Sequence, residues 1–263
     1  QQLDIVLREG VELSEVNVVT RKLGTMKLRT SVMNEDMISS AELTRAACCN
    51  LGESFVTNPS VDVSYSDAAT GAKQIKLLGL SGTYVQMMTE NIPNFRGAAA
   101  PYGLGYVPGP WMQSIQVSKG SSSVKNGYES ITGQINVEFK KPQLPEADWV
   151  SANLFASSTN RYEANADATV KLSKRWSTSL LAHYENETKS HDSNDDGFVD
   201  IPRVEQYNVW NRWAYMGDHY VFQAGIKALH ETRNSGQIAH GNTPSHDLYE
   251  IGIKTNRYEA FTK

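Results

Sequence analysis

The sequence predicts a compact α+β domain followed by antiparallel amphipathic strands of a transmembrane β-barrel, about six of them, and three observations lead there. The chain changes character near Lys140-Lys141-Pro142. Of its 24 aromatic residues, 9 lie up to Lys141 and 15 after it, including four of the five tryptophans. From Arg161 to Ser173 apolar and polar residues alternate strictly: Tyr162, Ala164, Ala166, Ala168, Val170 and Leu172 fall on one face, Glu163, Asn165, Asp167, Thr169 and Lys171 on the other. Short connections (Lys174-Arg175, Met216 to His219) alternate with long polar ones (Asn186 to Arg203, Glu231 to Asp247), as periplasmic turns alternate with outward loops in outer-membrane barrels.

The elements follow in order. Residues 1–20 read as a tail with one short apolar-rich strand, Val16 to Thr20. Residues 21–141 form the α+β domain. Ile38, Leu43, Ala46, Ala47 and Leu51 recur at helical spacing and predict a helix from about Asn34 to Thr57, with Pro59 beyond its stop. Gly-punctuated strands are expected around Lys73 to Leu80, Gly82 to Thr89, Ile115 to Lys119 and Gly133 to Lys140. Residues 142–263 carry the barrel strands: Val150 to Ser157, Arg161 to Ser173, Trp176 to Tyr184, Val204 to Tyr215, Tyr220 to His230 and Leu248 to Thr255. Several run to ten residues or more, where ordinary strands average about five or six. Six strands cannot close around a separate domain, and barrels with a plugged lumen have about 22 strands, so the chain reads as part of a larger barrel.

Composition excludes several classes. With 263 residues, 25 Lys+Arg against 29 Asp+Glu and a net charge of -4, the chain lacks a general basic surface for nucleic acid. No stretch approaches the roughly 18–20 apolar residues of a membrane-spanning helix. A mean hydropathy of -0.45 ordinarily indicates a soluble protein; strands with one apolar face average to the same value. Gln1 to Gly10 contain no signal-peptide pattern. Cys48 and Cys49 are adjacent and give no disulfide framework. A nucleophile elbow, a P-loop and an HExxH motif are all missing, so an enzyme is not expected. The alternative to a barrel is a secreted β-sandwich binding or adhesion module, which requires the Tyr162 to Leu172 face to be buried within the protein.

Residue-level motifs resemble the plug domain of TonB-dependent outer-membrane receptors. Asn50-Leu51-Gly52-Glu53-Ser54-Phe55 with Asn58-Pro59-Ser60-Val61-Asp62-Val63 resembles the helix and "N-P-x-V-x-V" turn of the first plug segment. Ile75 to Leu80 resembles "I-x-I-R-G", and Tyr84 to Pro93 resembles "V-x-V-x-x-D-G-V-P". Ile115 to Gly120, Ser123 to Tyr128 and Gly133 to Val137 resemble the closing "I-E-V-x-K-G … Y-G … G-G-x-I-N-V". Two departures stand out: the arginine usual before Gly79 is missing, and Glu90-Asn91 replaces Asp-Gly, variants that resemble receptors of the Bacteroidetes type. The resemblance implies import of a large nutrient (an iron siderophore, haem, cobalamin or another metal complex) across the outer membrane of a Gram-negative bacterium. Its partners would be TonB, outer-membrane lipid and an extracellular ligand, with no nucleic acid and no required cofactor. Glu15, Val16, Asn17, Val18, Val19 and Thr20 resemble a Ton box, which adds as a β-strand to TonB; their β-branched residues suit such main-chain pairing. Residues 1–13 would then end a preceding small domain. Within the same resemblance, the loop holding Tyr102, Tyr106 and Trp111 would rise to the plug apex and meet the ligand, the alternative being a packed turn.

Other candidate sites are read from residue chemistry. Asp192, Asn194, Asp196, the Phe198 carbonyl and Asp200 alternate as in an EF-hand-like loop, with Gly197 for the sharp turn, and point to a structural Ca2+ site. Arg203 stands where the twelfth-position acid belongs, and a hydrated acidic loop is the alternative. His183, His191, His230, His240 and His246 fall on or beside the long loops, without metal-ligand spacing. Cys48, Cys49, Met87 and Met88 would suit copper if they met, the alternative being small buried residues.

Overall fold

The computed structural model describes residues 26–27, 34–45, 49–56, 58–121, 126–142, 150–238 and 248–263. The N-terminal domain is built on a six-stranded mixed sheet in the order β1-β2-β8-β9-β6-β7. These strands are β1 (Met26–Lys27), β2 (Asn34–Ser39), β6 (Val85–Thr89), β7 (Ile92–Pro93), β8 (Met112–Lys119) and β9 (Gly133–Phe139). A second sheet joins β3 (Val61–Asp67), β4 (Ala72–Leu77) and β5 (Leu80–Ser81). Ile115, Val117, Ile135 and Val137 from the central strands meet Ile38, Leu43, Leu51, Phe55, Ile75 and Leu77 in one apolar core.

The helix expected from Asn34 to Thr57 is not formed as such. Asn34–Ser39 is strand, paired antiparallel with β8 from Asn34 opposite Lys119 to Ser39 opposite Ser114. Ile38 enters the core from it, and Asp36 meets Lys119 at 2.7 Å. Long-range backbone pairing thus overrides a spacing that a strand and a helix both satisfy at Ile38. Among the described residues of this stretch, helix is confined to α1 (Ser40–Arg45), with a 3₁₀ turn at Glu53–Phe55. The sequence favours that turn because the Asn50 Oδ1 accepts from the Glu53 amide at 3.2 Å, as an N-cap does.

Behind this domain six antiparallel strands pair in chain order: β10 (Val150–Ala156), β11 (Arg161–Lys171), β12 (Trp176–Glu187), β13 (Arg203–Met216), β14 (Val221–Gly236) and β15 (Glu250–Thr262). All six expected strands are present; β13 and β14 reach 14 and 16 residues. The register runs unbroken, so Ser151, Asp167, Leu181, Trp210, Lys227 and Glu259 form one row across the inner face. The outer face is apolar and uncovered: Tyr162 is 46% exposed, Val170 41% and Leu172 61%, which removes the sandwich alternative. Two aromatic pairs bracket this face, Trp176 with Tyr215 at 5.1 Å and Tyr184 with Tyr207 at 4.9 Å. Eight residue steps of β12 between them cover roughly 26 Å along the strand. At a tilt of 35–45° that is about 20 Å, close to the apolar band of an outer-membrane barrel. Among the described residues no helix is long and apolar enough to cross a membrane. Leu180 lies midway between the aromatic pairs and is 47% exposed. Leu180→Arg is expected to cost about 2–4 kcal/mol, measured by equilibrium unfolding in phospholipid vesicles, because a lipid-facing cation at the midplane is desolvated.

Candidate functional site

The inner face of the wall is polar, yet Glu163, Asn165, His183, Glu185, Gln206, Asn208, Arg212, Lys227, Glu231 and Arg233 are all buried. They are buried because the N-terminal domain sits on them, and the contacts fall into three zones. At the end away from the long loops, the Arg212 guanidinium donates to the Glu90 carboxylate and, at 2.7 Å, to the Lys140 carbonyl. It lies over the Trp210 ring at 4.5 Å. Glu90 occupies the β6–β7 turn, where it and Asn91 have φ of 50° and 65°. Both angles are those of a tight hairpin that usually takes Asp-Gly. Here the Asn91 amide donates to Asn136 Oδ1 at 2.8 Å, which holds the turn. The unusual Glu90-Asn91 pair thereby aims a carboxylate at the wall.

In the middle zone, backbone carbonyls of the domain are met by wall side chains. The Tyr106 carbonyl accepts from Asn208 Nδ2 at 3.0 Å and Lys227 Nζ at 3.1 Å. The Gly105 carbonyl accepts from Gln206 Nε2 at 3.3 Å. Trp111 packs edge-on against His183 at 6.4 Å and tilted against Trp210 at 6.3 Å, while Phe139 meets Trp210 at 4.6 Å. Nearby, Asn94 Nδ2 donates to Glu259 at 3.0 Å.

Toward the long loops the contacts are ionic. Arg161 is shared by three carboxylates: Glu53 of the domain at 2.7 Å, and Glu163 and Glu185 of the wall at 2.6 and 2.9 Å. Arg233 pairs with Glu231 at 2.6 Å and covers the Tyr102 ring at 5.2 Å. Gly71, with φ of 67°, turns β3 into β4 so close to the wall that an added Cβ would lie 3.1 Å from both Pro202 and Arg233. Lys73 stands over Tyr65 at 5.3 Å. Burial pushes its ammonium below the usual lysine range, partly opposed by Glu53. A groove of about 450 Å³ opens beside it, floored by Ile75, Met87, Phe95 and Leu104. Its size falls in the range of small-ligand pockets.

The expected site residues fare differently. Glu15, Val16, Asn17, Val18, Val19 and Thr20 lie outside the described residues, as do Cys48, His240 and His246. Tyr102 is half-buried, but Tyr106 and Trp111 are 2% and 0% exposed. These two are therefore not an exposed ligand surface: their rings fill the seam between domain and wall, where apolar bulk excludes water around the buried polar row. In the Asp192–Asp200 loop, Asp192 accepts from the Asp196 and Gly197 amides, Asp196 from Phe198 and Asp200 from Ser193. Among the described residues no group of three or more His, Cys, Asp and Glu side chains converges as a metal site. Cys49 is buried; desolvation, with the nearby carboxylates of Glu163 and Glu53, pushes its thiol well above the ordinary range. His183 faces inward against Asn165 at 2.8 Å, whereas His230 pairs with Asn256. Arg161, Arg212, Lys227 and Arg233 were not singled out by motif. The alternation that puts them inward was readable; their partners were not.

Residues 27–134 match the TonB-dependent Receptor Plug Domain family. No curated protein matches the sequence. Among solved structures the chain is similar to FpvA of P. aeruginosa bound to heterologous pyoverdines, at 14% identity and a TM-score of 0.66, covering 90% of this chain and 32% of that one. It is also similar to the copper transporter OprC, at 14% identity and a TM-score of 0.62, covering 85% and 33%. A third is the siderophore receptor PiuA from Acinetobacter baumannii, at 15% identity and a TM-score of 0.59, covering 78% and 27%. At these identities the likeness is one of fold, and the chain spans about a third of the length of the structures it matches.

Proposed function

We propose, for a chain that belongs to the TonB-dependent receptors through its plug domain and the partial barrel behind it, that it takes part in active import of a metal complex across the outer membrane of a Gram-negative bacterium. The observation that carries this reading is the seam itself. A lipid-facing wall has its polar inner face filled by a separately folded domain, so cargo can pass only if that domain is moved. Arg212, Lys227 and Arg161 are satisfied by plug groups, and moving the plug strips those partners from buried cations. Such a step is uphill and needs an outside source of work.

TonB supplies that work in this reading, pairing with Glu15, Val16, Asn17, Val18, Val19 and Thr20 as an added strand and pulling. The siderophore receptors and the copper transporter among similar structures support a metal complex as cargo, with siderophore, haem and cobalamin complexes as the classes to try. The chain's roles are binding and gating, without a chemical step. Uptake of labelled ferric siderophores, haem and cobalamin by cells making the full receptor provides the test. Deletion of Glu15 to Thr20 is expected to reduce uptake to the level of cells lacking the receptor, while surface binding of the ligand persists; undiminished uptake would overturn the reading.

A further inference from the structure

The groove floored by Ile75, Met87, Phe95 and Leu104 is bordered by a cation that the fold leaves unpaired. Lys73, on β4, is half-buried, and among the described residues its ammonium has neither a hydrogen-bond acceptor nor an ion-pair partner; it stands over the Tyr65 ring. The carboxylates whose field reaches it are engaged elsewhere: Glu53 meets Arg161 and accepts from the Cys49 amide, and Glu185 also meets Arg161. The charges of Arg161 and Arg233 act against it. A cation with little water and no counter-charge is costly, and a ligand that brings the missing charge removes that cost. The floor carries a second departure. Phe95 is buried with φ of 53°, a left-handed conformation that bulky residues seldom adopt. Its amide donates to Asn94 Oδ1 at 2.8 Å and its ring lies under Arg257 at 5.2 Å, and these contacts hold it there. Gly103 closes over the ring, where an added Cβ would stand 2.6 Å from it. Strain of this kind is kept where a side chain must be presented in one position, as at binding sites.

We propose that this groove binds a small amphipathic monocarboxylate, with the carboxylate on the Lys73 ammonium and the apolar part over Ile75, Met87, Phe95 and Leu104. The floor supplies apolar, aromatic and thioether surface and a single unengaged charge, which is the composition of a site for one apolar body with one anionic end. A phosphate suits it less well. Phosphate is best held by forked guanidinium donors, and the arginines nearby are taken: Arg161 by three carboxylates and Arg233 by Glu231. Arg96, which also borders the groove, is held by Glu129. The Glu129 carboxylate at the border repels a second negative group on the ligand, so one carboxylate fits and two do not.

The inference goes beyond the import reading, and its test does not measure transport. Phenylbutyrate, phenylbutanol and phenylbutylamine are titrated calorimetrically into the full receptor in phospholipid vesicles, with empty vesicles as the blank. Phenylbutyrate is expected to bind about tenfold or more tightly than the alcohol, and the amine more weakly than either. Lys73→Gln is expected to bring acid and alcohol to the same affinity; because the cation has no partner to strand, its loss leaves no buried charge uncompensated. Ala100→Trp, which sets an indole into the groove from an exposed border position, is expected to abolish binding of acid and alcohol alike. That variant assigns the site to this groove rather than to the two smaller crevices that Lys73 also borders, and it decides the matter if Lys73→Gln does not fold. Equal affinity of acid and alcohol for the unaltered receptor, an acid preference that survives Lys73→Gln, or undiminished binding in Ala100→Trp overturns the site and leaves the import reading standing. Failure of the uptake test with carboxylate binding intact would do the reverse.

Discussion

Replacing Arg212 with alanine is expected to destabilise the docked receptor by about 3–5 kcal/mol, because it strands a buried carboxylate. The side chains of Arg212 and Glu90 are 2% and 3% exposed, so neither recovers hydration when its partner is lost. The Lys140 carbonyl also loses a donor, which adds the cost of an unmet buried acceptor. Lys263 stands 3.3 Å from the other Glu90 oxygen and keeps part of the compensation, which places the effect toward the lower end. A double change, Arg212→Met with Glu90→Met, is expected to recover most of the loss, since apolar groups of similar volume need no counter-charge. Urea unfolding in phospholipid vesicles reads both. A loss under about 1 kcal/mol for the single variant, typical of exposed pairs, would mean the pair is hydrated in the membrane.

Trp111→Ala is expected to cost about 3–5 kcal/mol by the same measurement, the range for large aromatic truncations in a core. Trp111 is fully buried and joins the plug core to the wall through Trp210 and His183. Lys227 stands 5.9 Å from the ring, and its attraction to the π face is lost too. Trp111 Nε1 has no hydrogen-bond partner among the described residues. Trp111→Phe is therefore expected to cost clearly less than alanine, since it keeps a ring in the seam and removes an unsatisfied donor. If phenylalanine and alanine proved equally damaging, the indole N–H would have to carry the interaction rather than the bulk.

Much of the fold was legible because its signals are local. A period-two pattern over eleven residues places Arg161 to Lys171 in a strand whatever it packs against, and the inward and outward faces follow. The Asn34–Thr57 region was less legible. Ile38 fits a helix with Leu43 and Leu51, and only the pairing of β2 with β8, 77 positions away between Ile38 and Ile115, decided otherwise. The loop from Tyr102 to Trp111 shows the same limit for sites. Its Gly, Pro and aromatic residues suit an exposed apex and a packed seam equally, and burial of Tyr106 and Trp111 against β13 and β14 selects the seam.

The sequence by itself determined a mixed domain joined to amphipathic strands, and its motifs resembled a plug, because alternation, turn residues and short motifs are properties of neighbouring positions. Only the tertiary structure decided that the polar face of those strands is closed by the plug, and which carboxylate meets Arg161 or Arg212. Ion-pair partners lie far apart along the chain, as Glu90 and Arg212 do across 122 positions, and no local pattern encodes a match that arises only when two separately folded parts dock.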